Sequence, residues 1–342
     1  MPPPHPTQAP APTLPEELLE EIFLRLPPDE PACMARARLP RTRPAFRRRY
    51  RDFHGAPPML GFFHSGSSDS GPHFAPTGAR LPGVDGWVGW HMDHVVWDCR
   101  HGRVLLCNKN MLPLLLVAWD PMTGNRRKLP TPREYDSHGA AVLCSATGCH
   151  HRACHEGPFR VVFVGLDYSN DGCAAYAHVS LPETGEWSEP CSALEPATKN
   201  ASLLDMPPVS VQDPLCFLLT YLYCDAEHAN DIVVLKYDLT SHRLSLIDVP
   251  PVETDTVGDT ILMLMKDGGL GFARFDGLTI YIWSRQMGSD GVPAWTQSTV
   301  MDLKNLLPIR NPKKRVRLIG SMEGSDIIFI TTDLGIYKIN LK

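Results

Sequence analysis

From residue 81 onward the sequence is a succession of short apolar runs, each cut off by a turn signal. That texture limits the fold more than any other feature. Runs this short, rich in Val, Ile, Leu and aromatic residues and bounded by Gly, Pro, Asn or Asp, read as strands. The candidates are Arg103–Cys107, Leu114–Trp119, Arg160–Leu166, Ala174–Val179, Cys216–Leu222, Ile232–Tyr237 and Leu244–Val249. Further on come Thr260–Met265, Leu270–Arg274, Leu278–Trp283, Val316–Gly320, Asp326–Thr331 and Ile336–Leu341. Only Asp302–Leu307 has a weak helical pattern, so residues 81–342 are expected to be mainly β. The 33 prolines and 26 glycines agree, because they favour many turns and few long helices.

A loose repeat runs through these strands. Leu116 begins LVAWDPMTGNRRKLP, a strand, a tight turn and a second strand that enters a proline. Leu235 begins LKYDLTSHRLSLIDVP with the same plan; the stretches from Val179 to Ser188 and from Ile280 to Trp295 follow it less closely. The turn chemistry, Asp-Pro-x-Thr-Gly or Asp-Leu-Thr-Ser, makes each unit a hairpin. Spacings of about 45–60 residues are in the range of propeller blades, and the residues available divide into about five or six. Blades cannot bury both faces alone and stack around an axis.

The N-terminal part is different. Residues 1–12 form a proline-rich tail expected to be disordered. Thr13 to Pro28, TLPEELLEEIFLRLPP, predicts a helix of about three turns. Thr13 and Glu16 make a T-x-x-E capping box, and Pro15 sits in the first turn. Early glutamates and a late Arg25 suit the helix dipole, and Pro27 with Pro28 stops it. Leu18, Ile22 and Leu26 form one apolar row, with Leu19 and Phe23 beside it. Both rows need cover, from the chain's own core or from a second protein. Further on, Phe46, Tyr50 and Phe53 step at helical spacing and are expected to point inward, which makes the arginines around them, Arg36 to Arg51, a solvated face. His64 to Ala79 reads as a loop.

The string L-P-x-x-L-L-x-x-I-x-x-x-L-P resembles the start of an F-box, with Leu14, Pro15, Leu18, Leu19, Ile22, Leu26 and Pro27 on its pattern. The following run, through PAFRRRYRDFHGAPPMLGFF, resembles plant F-box proteins of the grass type. The GRVLL at Gly102 and the WDPMTGNRRKLP at Trp119 resemble that family's C-terminal F-box-associated β region. The resemblance implies an α+β protein: a small helical F-box unit at 13–54, a linker at 55–80, and an irregular kelch-like propeller at 81–342. It also implies that the seven F-box residues bind a Skp-type adaptor, and through it a cullin, as the substrate-recognition subunit of an SCF-type ubiquitin ligase. The β domain would then bind a target protein. One departure supports a second reading. The family's Val-Cys-Lys/Arg-x-Trp segment is missing, the chain passing from Leu39-Pro40 directly to Arg41 and Pro44. The F-box is then shortened, and the chain is a stand-alone propeller interaction module without an adaptor.

Other functions are not expected. A net charge of −5 favours neither nucleic acid nor membrane as a partner. The N-terminus has no apolar signal region, so a cytoplasmic or nuclear protein with its ten cysteines as thiols is expected. There is no G-x-S-x-G, H-E-x-x-H, P-loop or G-x-G-x-x-G, so no catalytic residues, cofactor or enzyme activity are expected. Cys144, Cys149, Cys154 and His155 are weak zinc candidates whose spacing fits no common knuckle. Likewise His91, Asp93, His94 and Asp98 amount at best to a surface patch. Trp87, Trp90 and Trp97 are candidates for a target-recognition surface, because tryptophan is enriched at binding hot spots. Trp119, Trp187, Trp283 and Trp295 fall near blade strands and are read as core.

Overall fold

The computed structural model describes residues 15–25, 46, 49, 53, 61–65, 72–76, 94–108, 112–121, 124–147, 149, 157–169, 172–181, 184–195, 201–221, 232–251, 260–289, 291–311 and 316–341. The helix α1 covers Glu16–Arg25 and is followed by a hairpin, β1 (Gly61–Ser65) and β2 (Pro72–Pro76). Five antiparallel sheets then succeed one another along the chain. Blade 1 holds β3 (His94–Arg100), β4 (Arg103–Asn108), β5 (Leu115–Trp119) and β6 (Arg126–Pro130). Blade 2 holds β7 (Ser137–Cys144), β8 (Phe159–Ser169) and β9 (Gly172–Val179), and its edge is extended by bridges from Ser180 to Trp187 and from Ala175 to Leu194. Blade 3 holds β10 (Ala201–Leu203), β11 (Val209–Ser210), β12 (Leu215–Tyr221), β13 (Ile232–Asp238) and β14 (Arg243–Asp248). Blade 4 holds β15 (Thr260–Leu264), β16 (Leu270–Asp276), β17 (Thr279–Met287) and β18 (Pro293–Asp302). Blade 5 has three strands, β19 (Arg317–Ser321), β20 (Ile327–Thr332) and β21 (Gly335–Asn340).

The first strands of successive sheets meet near one axis: β3 touches β7, β7 touches β10, β11 touches β15, and β15 touches β19. This is a five-bladed β-propeller. Strand alternation explains why the blades stack. Successive side chains point to opposite faces, so a middle strand that is apolar throughout serves two neighbours. In β4, Leu105 and Cys107 join Ala140, Val142 and Phe163 of blade 2, while Val104 and Leu106 face the other way. Val164 and Leu166 of blade 2 meet Leu215, Phe217 and Leu235 of blade 3. Cys216, Leu218 and Val234 on the opposite face of blade 3 meet Phe272 and Trp283 of blade 4. Ile261, Ala273 and Ile282 then meet Leu318, Ile328 and Ile330 of blade 5.

The α+β class is corrected. Among the described residues one ten-residue helix stands against twenty-one strands, and the fold is mainly β. A helical F-box unit over 13–54 is not shown: the described part of that span is Pro15 with α1, and helical backbone at Phe46, Arg49 and Phe53. The expected loop from His64 to Ala79 includes the end of β1 and all of β2, paired from Gly61–Pro76 to Ser65–Pro72. Asp302–Leu307 is no helix. Leu303 and Leu307 are buried, and the Leu303 carbonyl accepts from Leu306 and Leu307 in a single turn before Pro308. Among the described residues no helix is long and apolar enough to cross a membrane.

Candidate interaction surface

The Pro15 carbonyl accepts the first helical hydrogen bonds of α1, from Leu18 and Leu19 at 3.1 Å each. Residues of an α-helix are separated by about 100° around its axis, so Leu24 lies about 160° from Ile22 and about 120° from Leu18. The two sides of α1 have different surroundings. Leu24 is buried, and so is Phe46. Arg49 reaches the same side, its Nη2 lying 2.7 Å from Glu21 Oε1 and its Nη1 3.7 Å from Glu20 Oε2. Arg25 adds a bond to Glu21 Oε2 at 2.8 Å. Arg49, and then Arg25, hold the Glu21 carboxyl below the usual carboxylate range. Across the helix from Leu24, Leu18 is 52% exposed and Ile22 48% exposed, with Pro15 exposed and Leu19 half-buried. α1 therefore buries Leu24 and leaves Leu18 and Ile22 as an apolar stripe in solvent, beside ion pairs that are themselves exposed.

Four of the seven predicted adaptor residues, Pro15, Leu18, Leu19 and Ile22, belong to this stripe or flank it. Leu14, Leu26 and Pro27 lie outside the described residues. Leu24 was not singled out from the sequence: it belongs to neither apolar row and lies across the helix from Leu18 and Ile22. Inward packing of the second segment ends early: Phe46 is buried, Phe53 is 59% exposed, and Tyr50 lies outside the described residues. Of the arginine run, Arg49 serves as an ion-pair partner of α1.

Trp97 does not belong to a recognition surface. It is buried between blades 1 and 2, with ring centroids 5.2 Å from His138 and 6.3 Å from Phe163. A bulge between Val96 and Asp98 turns its side chain into that core. Trp87 and Trp90 lie outside the described residues. Of the zinc candidates, Cys144 is buried and its Sγ accepts from the Ala146 N–H at 3.4 Å, and Cys149 is half-buried. Cys154 and His155 are outside the described residues, among which no cluster of metal-ligating side chains occurs. His91 and Asp93 also lie outside them, whereas His94 and Asp98 are in β3.

Asp98 belongs to a polar hub that sequence reasoning missed. Its Oδ2 accepts from the Val142 N–H of blade 2 at 2.8 Å, and its Oδ1 lies 3.3 Å from Arg100 Nε. Arg100 is buried and donates to the Pro208 carbonyl ahead of β11, while its Nη2 lies 2.7 Å from Glu323 Oε1 in the turn after β19. Next to Glu323, the Gly324 N–H donates to the Leu264 carbonyl of blade 4 at 3.1 Å. Blades 1, 3 and 5 thus meet at one buried guanidinium, with blade 2 joined through Asp98 and blade 4 through the backbone beside Glu323. Burial pushes the Asp98 carboxyl up to about 7, against the pull of Arg100. Burial alone would lower the Arg100 guanidinium, but Asp98 and Glu323 together hold it above its ordinary value. A buried Asp and Arg on one strand carry no periodic signal, so only the assembled ring reveals them.

Comparison with solved structures returns matches at low similarity. A puromycin hydrolase shares 11% identity at a TM-score of 0.39, over 71% of this chain and 36% of its own. An α-L-arabinofuranosidase of Fusarium graminearum with arabinobiose shares 11% identity at a TM-score of 0.39, over 82% of this chain and 83% of its own. The WD40 domain of SCAP from fission yeast shares 14% at 0.37, over 73% and 52%. Overlays this loose carry no inference about function. No curated protein matches the sequence. A family model does, described as the β-propeller of F-box protein AT5G49610-like proteins, and it spans residues 95–317, from β3 to the start of β19. The chain belongs to the F-box protein AT5G49610-like β-propeller family.

Proposed function

We propose that this chain is the substrate-recognition subunit of an SCF-type cullin–RING ubiquitin ligase, with α1 binding a Skp-type adaptor and the propeller binding a target protein. The observation that supports the reading is the apolar stripe of α1, in which Leu18 and Ile22 stay about half exposed while Leu24 is buried on the other side. An amphipathic helix normally buries its apolar side and shows water its charged one. An apolar row left in solvent is available for cover by another polypeptide. The ligase component itself performs no bond chemistry. It raises the effective concentration of a target's lysines near the ubiquitin-carrying enzyme. Such a role places the protein in the cytoplasm, the nucleus or both.

A pull-down of the full chain with a purified Skp-type adaptor tests this. Leu18→Asp or Ile22→Asp is expected to weaken capture by about 100-fold or more, the loss typical of a hot-spot residue, with the β-rich circular dichroism unchanged. Failure of the wild-type chain to capture the adaptor overturns the proposal.

A second reading is a stand-alone propeller interaction module. One observation favours it: the missing Cys and Trp between Leu39 and Pro44. On this reading the wild-type chain captures no adaptor, and inserting a Cys-Lys-x-Trp segment after Leu39 restores capture.

A further inference from the structure

We propose that the hairpin β1–β2 is the clasp that closes the propeller ring between its last blade and its first. Four of the five seams have the same construction. Blades 1 and 2, 2 and 3, 3 and 4, and 4 and 5 each share one continuous apolar cluster drawn from both partners. The fifth seam is built differently. The face of blade 1 turned away from blade 2 holds a small cluster of Val104, Leu106, Val117 and Trp119, and the residues packed against it are Val96 and Phe63. Among the described residues no blade 5 residue belongs to that cluster, and no strand is shared between blade 5 and the N-terminal segment.

Phe63 belongs to β1, and its neighbour Phe62 completes the connection. The Phe62 ring stacks on Phe329 of β20, with centroids 4.6 Å apart and planes at 25°. Adjacent residues of a strand point to opposite faces. One strand therefore presents Phe62 to blade 5 and Phe63 to blade 1, which is the geometry of a wedge in a gap. The second strand stiffens the first: Phe74 is the cross-strand partner of Phe63, with ring centroids 5.0 Å apart, and both β1 and β2 touch β3. At the inner end of the same seam, the pair of Arg100 and Glu323 joins blade 1 to blade 5 directly. The ring is thus closed by an ion pair at its axis and by an apolar wedge farther out. The proposal does not rest on adaptor binding.

The test uses the full chain with a specific protease site inserted after Gly83, between the hairpin and β3. The folded protein is cleaved and run on size-exclusion chromatography. The expected result is that the N-terminal piece stays with the propeller in the wild-type background and is released in the Phe62→Ala, Phe63→Ala double variant. Hydrogen exchange on the uncleaved double variant is expected to speed up by about tenfold or more in β3 and β19–β21 while β12–β17 stay as in wild type. Release of the wild-type piece with no change in ring exchange overturns the proposal. So does retention of the double-variant piece, or exchange that rises equally in every blade. If the double variant does not fold, Phe62→Leu keeps bulk but loses the ring stack, and faster exchange confined to blade 5 and β3 is the supporting result; unchanged or uniform exchange overturns the idea.

Discussion

Gly165, in the middle of β8, has no room for a methyl group. A Cβ there would lie 2.3 Å from Cγ of Tyr135 and 2.4 and 2.6 Å from its two Cδ atoms. Tyr135 is held in place from several sides. Its hydroxyl is 2.6 Å from His178 Nε2, and the other ring nitrogen, Nδ1, lies 3.2 Å from the Ser188 carbonyl. Since a carbonyl can only accept, Nδ1 carries the proton and Nε2 accepts from the tyrosine. Burial keeps the imidazole below its ordinary range, and so neutral. Arg133 covers the tyrosine ring at 4.7 Å and pairs with Asp167. The obstacle is a packed ring rather than the loose end of a chain. Gly165→Ala should therefore cost about 1–3 kcal/mol, as overpacking usually does. A thermal melt reads the loss, and the double variant with Tyr135→Ala should lose less than the sum of the two single changes.

At the scale of elements, the hairpin turns do the same job with different residues. In Asp120-Pro-Met-Thr-Gly124 the Gly124 N–H donates to the Asp120 carbonyl at 2.8 Å, and in Leu181-Pro-Glu-Thr-Gly185 the Gly185 N–H donates to Leu181 at 2.9 Å. Both glycines sit at φ 78°, a conformation costly for any side chain. Between β13 and β14 the turn is made by Asp238, whose Oδ1 accepts from the N–H groups of Ser241 at 2.8 Å and Thr240 at 3.1 Å. Those bonds, Ser241 first, hold the Asp238 carboxyl below its ordinary value. Asp238→Ala should lower the melting temperature by a few degrees near neutral pH. Because the folded carboxyl is the stronger acid, the stabilisation is present above the unfolded value near 4 and fades as pH falls further, so the gap between wild type and variant should narrow in acid. Tryptophans stitch neighbouring blades: Trp187 Nε1 donates to the Pro130 carbonyl at 2.7 Å, and Trp295 Nε1 to Asp248 at 2.6 Å.

These elements also mark what could be read in advance. Middle strands such as β12 are apolar along almost their whole length, because both faces are buried, and they stand out in the sequence. Their hairpin turns stand out too, because Pro, Gly and Asp have mechanical roles there. β7 begins Ser-His-Gly-Ala and β3 contains a buried Asp and Arg, so neither resembles a strand until the ring supplies partners for them. β1 and β2 lie in a stretch rich in Ser, Gly and Pro, and pair through the backbone. For α1 the apolar positions were plain. Which side stays open was not, because the exposed Leu18 and Ile22 and the buried Leu24 are all apolar.

At the scale of the whole molecule, the hub of Asp98, Arg100 and Glu323 ties the blades together at a cost that depends on pH. Burial raises the Asp98 carboxyl to about 7, whereas in the unfolded chain it titrates near 4. Between those values the folded state holds a proton that the unfolded state has lost. Stability from this group is therefore complete below pH 4 and is lost as pH rises through about 7. Melting wild type and Asp98→Asn in parallel from pH 5 to 8 should show the wild type losing ground over that interval relative to the variant. Equal slopes would show that Asp98 does not carry the effect.

The double-sided burial of the middle strands has one more consequence. Where a strand has one greasy face and one wet face, a slip by one residue exposes the wrong face, and hydrophobicity alone corrects the error. A strand like β4 or β12, greasy on both sides, gains no such protection, since its shifted copy is nearly as comfortable. The alignment of each sheet must then be held by its least oily residues: Asp120, Gly124, Asp238 and their counterparts at the bends. In this protein the memory of which residue faces which is stored at the corners.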